Sequence, residues 1–282
     1  MLGVMVASGH DMAVAGATQL AGAAATTGPL TLLHADAWLL AVHKPAGLLV
    51  HRTALDAQAD DDVVTRLQAL LGAPVWPVHR LDKGTSGVLL LARDADTARQ
   101  LGTMFASHAL DAASTAPAPR TAPHKSVHKQ YLALVRGWPA DAGEIAAPLA
   151  RDPELPSTGQ PLLAACTRWQ VLQRLVLPVA THPRHADTRL ALVAVQPLSG
   201  RRHQIRRHFK ALAHPLVGDA THGKGPLNRA IAGHLGLARL WLHAEQLQLI
   251  HPATGARLQL RAEPGPDWAW LLSPSGALAA GP

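Results

Sequence analysis

The segment His79-Arg80-Leu81-Asp82-Lys83-Gly84-Thr85-Ser86-Gly87-Val88-Leu89-Leu90-Leu91-Ala92 sets one carboxylate in a tight connection between two apolar runs. An ionised carboxylate is a base or a nucleophile. An Asp beside a Gly-rich turn is more often only a turn former, bonding its own backbone, and on local grounds Asp82 supports either reading. Catalysis in a cleft would demand a cation at its side. Desolvation disfavours a charged carboxylate, and a neighbouring guanidinium restores it. Arg80 lies two residues upstream, and the sequence offers Arg206 as the partnering cation. It sits in Ser199-Gly200-Arg201-Arg202-His203-Gln204-Ile205-Arg206-Arg207-His208-Phe209-Lys210. On a helix, Arg202, Arg206 and Lys210 recur at i, i+4 and i+8 and share a stripe. Such a stripe is commonly a solvated face. Ile205, Phe209 and Leu212 on a neighbouring face imply that the helix packs, which would turn one edge of the stripe into a cleft. A basic helix also suits a phosphate backbone.

Tyr131, in Lys129-Gln130-Tyr131-Leu132-Ala133-Leu134-Val135-Arg136-Gly137, is the single tyrosine of the chain. A strand tyrosine is usually a core residue with its hydroxyl at the rim. The alternative is a ring on which a nucleobase stacks, with a phenol able to move a proton. Seventeen histidines invite a metal hypothesis. However, His203 and His208 fall on different helix faces, and no His-Glu-x-x-His motif occurs, so no metal is expected. The Gly-Thr-Ser-Gly loop is neither a Walker loop nor a dinucleotide fingerprint, and Ser86 lacks a hydrolase elbow. No cofactor is implied.

The elements that must position these residues are legible in outline. Leu30–Leu33 and Trp38–Val42 read as strands about an Asp36 turn. Lys44-Pro45-Ala46-Gly47 is turn chemistry, and Leu48–His51 follows as an extended piece. Val63, Val64, Leu67, Leu70 and Leu71 recur at helical spacing. The apolar runs on both sides of Asp82 read as strands. Asp94 is placed to cap a helix with Ala98, Leu101, Met104 and Phe105 on one face. Lys129–Arg136 and Leu190–Gln196 are strands, Arg202–Ala213 a helix, Leu240–Ile250 and Arg257–Arg261 late strands, and Trp268–Leu272 a closing helix. Strands and helices mix without βα alternation. This predicts an α+β fold with a mixed, largely antiparallel sheet, flanking helices and a central cleft.

The 282 residues carry 48% hydrophobic and 16% charged side chains, enough to bury a core. The net charge of +7 points to a polyanionic partner. One cysteine, Cys166, excludes a disulfide framework and reads as a small buried side chain. No apolar run reaches the length of a membrane span. Residues 1–28 hold no Lys or Arg and read as a disordered leader rather than a secretory signal. Residues 111–127 are rich in Ala, Pro, Ser and Thr, the composition of a flexible insertion. The expected organisation is a catalytic domain over 29–272 and a loose tail over 273–282, in a cytoplasmic protein.

Four segments together resemble the RluA-type pseudouridine synthases: Lys44–His51, the Asp82 motif, Lys129-Gln130-Tyr131, and Ser199–His208. His214-Pro215-Leu216-Val217-Gly218-Asp219, Leu242-His243-Ala244 and His251-Pro252-Ala253-Thr254-Gly255 fit the later part of the same pattern. Leu49-Val50-His51-Arg52, Thr188-Arg189, Thr221-His222-Gly223 and Asn228-Arg229 resemble the tRNA-modifying, TruC-type branch. The resemblance spans roughly residues 30–270. It departs at Gly84, at Ser199 and in the insertion after Leu110. It implies the pseudouridine synthase fold, no cofactor, a monomer, and an RNA substrate, with uridine 65 of tRNA the favoured target. It also implies catalytic roles for Asp82, Tyr131 and Arg206, and substrate contacts from Arg80, Arg202, His203, Gln204 and Leu242. The alternatives are an rRNA-modifying enzyme of the same chemistry and a non-catalytic RNA chaperone.

Overall fold

A computed structural model describes residues 18–20, 28–52, 61–111, 127–181 and 184–272. Its strands are β1 Thr18–Leu20, β2 Leu30–Ala35, β3 Leu39–Lys44, β4 Trp76–Pro77, β5 Ser86–Ala92, β6 His128–Arg136, β7 Ala142–Ile145, β8 Leu149–Ala150, β9 Leu162–Leu163, β10 Thr167–Leu177, β11 Thr188–Pro197, β12 Leu242–Ile250 and β13 Arg257–Arg261. The helices are α1 Val63–Leu71, α2 Ala95–Asp111, α3 Gln204–Ala211, α4 Gly225–Leu235 and α5 Ala269–Leu272, the last preceded by a single 3-10 turn over Pro266–Trp268.

Eleven strands form one sheet in the order β1-β2-β3-β5-β12-β6-β11-β10-β7, with β13 added to β12 and β4 to β5. Strands β8 and β9 pair separately. Among the described residues every strand pairing in the large sheet is antiparallel except β5 with β12, so the sheet is mixed and largely antiparallel, as expected. Strand β5 is buried along its whole length, which is what a continuous apolar run requires. Its side chains alternate between faces. Leu89 and Leu91 pack with Leu48, Val63 and Leu67, while Val88 and Leu90 pack with Leu101 and Met104. Strand β6 does the same for the other half: Leu132 and Leu134 enter one cluster, Ala133 and Val135 another.

The parallel contact between β5 and β12 joins the two halves of the sheet. Gly87, at φ 116°, faces Ala244 there. A Cβ at Gly87 would lie 2.1 Å from the Ala244 carbonyl oxygen, so only glycine lets the strands approach. The neighbouring Arg239 donates to Ser86 Oγ at 2.9 Å. Ser86 donates to His243 Nδ1 at 2.9 Å, and His243 Nε2 donates to the Ala262 carbonyl at 2.9 Å. Burial lowers the His243 pKa to about 4, which keeps the ring neutral within this chain of bonds.

Three expectations change. Within 1–28, Thr18–Leu20 pairs with Leu30–Leu32 as β1. Backbone hydrogen bonds to a free strand edge need no apolar periodicity, so composition does not reveal it. The rest of the leader, 112–126 of the insertion and the 273–282 tail lie outside the described residues. At the insertion's margins, α2 runs through Asp111 and Val127 is buried. Helix α3 begins at Gln204, because the side chain of that residue bonds the turn before it.

Candidate active site

Asp82 sits on the loop between β4 and β5. Thr85 N–H donates to the Asp82 carbonyl at 2.9 Å, closing the turn, and Gly47 N–H donates to the Lys83 carbonyl at 2.8 Å. Upstream, His79 Nε2 accepts from the Leu90 N–H at 3.0 Å, and its ring stacks on Phe105 at 5.2 Å. Burial drives the His79 pKa down to about 3, so the ring is a fixed acceptor. The loop is thus pinned at both ends, which points the Asp82 carboxylate in one direction.

Below the loop lies Lys44, which is fully buried. Its Nζ donates to the carbonyls of Pro45 at 2.9 Å, Leu48 at 2.7 Å and Lys83 at 3.2 Å. Burial lowers its pKa from the ordinary 10.5 to about 7, against the pull of the Asp82 charge. Between those values the unfolded chain binds a proton that the native state lacks. Stability therefore rises with pH across that window, by up to roughly 1.4 kcal/mol per pH unit. Lys44→Met should flatten this rise, as read by urea unfolding of both proteins at about pH 7.5 and pH 9.

Arg206 reaches Asp82 from α3. Its Nη1 donates to Asp82 Oδ2 at 2.8 Å, while Nε and Nη2 donate to the two oxygens of Asp219, each at 2.8 Å. The side chains of Arg206 and Asp219 are 9% and 0% exposed. Asp219 also accepts the N–H groups of Thr221 and His222 at Oδ1, each at 2.9 Å. Burial works against the charge on Asp219, but the Arg206 guanidinium and these N–H donors hold its carboxyl below the ordinary range. One guanidinium is shared by two carboxylates, and Arg206 is thereby fixed from behind.

His203 closes the ring of contacts. It precedes α3 at φ 55°, a conformation rare outside glycine and costly enough to mark functional sites. Its Nε2 is 3.7 Å from Asp82 Oδ1, and its Nδ1 is 3.0 Å from His222 Nε2. Burial, outweighing the Asp82 charge, lowers the His203 pKa to about 4. Tyr131 lies half-buried at the seam where two core clusters meet. Burial first, then the Asp82 charge, pushes its phenol well above the usual tyrosine range, so at neutral pH it stays protonated.

Asp82, Arg206, His203 and Tyr131 line one cleft of about 470 Å³, together with Arg80, Arg202, Gln204 and Leu242. All eight residues singled out in the sequence therefore share a wall. Their engagement differs. Arg80 is exposed at the rim and Leu242 is part of the buried floor. Arg202 lies before the helix, off the expected stripe, and pairs with Asp152 Oδ1 at 3.2 Å and with Glu154. Lys210 is exposed at the far end. Gln204 does not present its amide to the cleft. Its Oε1 accepts from Ser199 Oγ at 2.6 Å and Arg201 N–H at 3.0 Å. Its Nε2 donates to the Cys166 carbonyl at 2.8 Å and Thr167 Oγ1 at 3.0 Å. With its amide consumed, Gln204 builds the strand-to-helix corner and delays the start of α3. Sequence reasoning assigns no role to Asp219, His222 or Lys44. The motifs that hold Asp219 and His222 are recognisable, but nothing local reveals a partner across the fold. Among the described residues no cluster of three or more His, Cys, Asp or Glu is arranged for a metal ion.

The cleft thus brings together a carboxylate locked to a guanidinium, a protonated phenol and cations at the rim. The sequence profile of RNA pseudouridylate synthases matches residues 38–211. Relatives include the tRNA pseudouridine synthase C of Vibrio cholerae, 38% identical over 88% of this chain and 96% of that protein. That of Yersinia pestis is 35% identical over 88% and 91%. The solved human RNA Pseudouridylate Synthase Domain Containing 4 superposes with a TM-score of 0.57 at 27% identity, covering 83% of this chain and 88% of its own. The chain belongs to the RNA pseudouridylate synthase family, and it is an isomerase that converts uridine to pseudouridine.

Proposed function

We propose that this enzyme isomerises one uridine of tRNA, position 65 on the acceptor side of the T stem, acting in the cytoplasm as a monomer. The observation that carries the reading is the convergence of Asp82, Arg206, Tyr131 and Arg80 on one cleft, in a chain similar over most of its length to enzymes named for tRNA. A single chain supplies all four groups, so no second copy is needed. The target must leave the helical stack, at a cost of a few kcal/mol. Stacking on Tyr131 offsets about 1–3 kcal/mol of this, and Arg80 at the rim steadies the flipped nucleotide or fills its place. Asp82, aimed by Arg206, acts on the ribose or the base. The N-glycosidic bond breaks, the uracil turns, and carbon rejoins the sugar. The uracil carbon that joins the sugar loses its hydrogen and the freed ring nitrogen gains one, so two bonds are exchanged for two and no energy source enters.

The test is a comparison of pseudouridine maps of tRNA and rRNA from cells with and without the gene. Loss of a single tRNA site supports the proposal. Loss of an rRNA site would replace the substrate while keeping the chemistry, and unchanged maps in both would overturn the tRNA proposal.

A further inference from the structure

His203 Nε2 and Asp82 Oδ1 are 3.7 Å apart, too far for a hydrogen bond between them. Two atoms at that separation can both lie about 2.8 Å from a single third atom. That atom must accept from the imidazole and donate to the carboxylate. A carbonyl or phosphate oxygen only accepts, and Asp82 would repel it. A hydroxyl does both. An internal ribonucleotide has its 3′ and 5′ oxygens esterified, so its free hydroxyl is the 2′-OH. This group is one bond from the carbon next to the breaking glycosidic bond, which is where the carboxylate must act.

We propose that His203 and Asp82 together hold the ribose 2′-hydroxyl of the flipped nucleotide, with His222 as the positioning residue that sets the His203 tautomer. This rests on the reading that an RNA uridine enters the cleft. His222 Nε2 and His203 Nδ1 are 3.0 Å apart; the proposal gives the shared proton to His222, which leaves the His203 proton on Nε2, facing the gap. The backbone of His222 is itself anchored, since its amide N–H donates to Asp219 Oδ1. His203, at its left-handed backbone position before α3, lines the cleft. Both rings have pKa values lowered by burial, so each is neutral and carries one proton, as the tautomer relay requires. The 2′-OH is the group that separates RNA from DNA. The arrangement therefore makes sugar selection part of the catalytic centre.

The test is a cycle between enzyme and substrate. Single-turnover rates are measured on an RNA that the wild-type enzyme is first shown to modify, with uridine or 2′-deoxyuridine at the target. Failure of the tRNA reading would show at that first step, before the two target sugars are compared. The wild type should lose at least about 100-fold on the deoxy target, because a site built around a hydroxyl is left with unpaired groups. His203→Asn keeps the left-handed backbone, which Asn tolerates, and should shrink that penalty to within about tenfold. His222→Phe retains ring volume and should also shrink it. The inference fails if the deoxy penalty is the same in all three proteins, whatever their absolute rates.

Discussion

Asp82→Asn yields a protein that folds, binds its RNA and makes no pseudouridine. The asparagine amide has the same shape as the carboxylate. Arg206 also remains bound through two other nitrogens to Asp219, so no buried charge is orphaned. Thermal unfolding should shift little. Turnover should fall by at least about 10⁴-fold, the scale seen when a group essential to bond making is removed. Mapping of pseudouridine after incubation with excess mutant, beside filter binding of the same RNA, separates the two effects. Turnover near the wild-type rate would remove Asp82 from the chemistry.

Arg206→Leu fails differently. It strips the partner from two carboxylates, one of them wholly buried. Removing one member of a buried ion pair costs about 3–5 kcal/mol, because the remaining charge has no solvent to relax into. The variant should therefore lose both activity and a large part of its stability, read by denaturant midpoint. Arg206→Lys restores charge but not the fork that spans Asp82 and Asp219. It should recover stability more than rate. An Arg206→Leu protein with unchanged midpoint would mean that Asp219 is solvated or protonated.

The contrast between local and distant partners explains what the sequence can reveal. Val63–Leu71 forms the helix that its spacing predicts, with Asp62 accepting from Thr65 N–H at its start. Asp94 caps the next helix by accepting from Thr97 N–H at 2.8 Å. Strand β5 is the buried run that its apolar residues predict. These features depend on neighbours within a few residues, so periodicity and capping chemistry expose them. The meeting of Asp82 with Arg206 is legible only through motif resemblance. The roles of Asp219, Lys44 and Gln204 are not legible at all. Lys44 looks like part of a turn until three carbonyls surround it, and Gln204 looks available for RNA until its amide is counted. In each case the deciding partner arrives from elsewhere in the fold, and no local rule reports it. Strand β1 escapes for the opposite reason: its pairing is backbone to backbone, and side-chain pattern carries no trace of it.

Asp82 and Arg206 are 124 residues apart in the chain, and they come from opposite sides of the parallel junction at Gly87. Contacts so distant form late and slowly, since a long loop must close before they are rewarded. A ribosome finishes the carboxylate's segment well before the guanidinium's, so the growing polypeptide exposes Asp82 without its cation until Arg206 has been made and the sheet has closed around both.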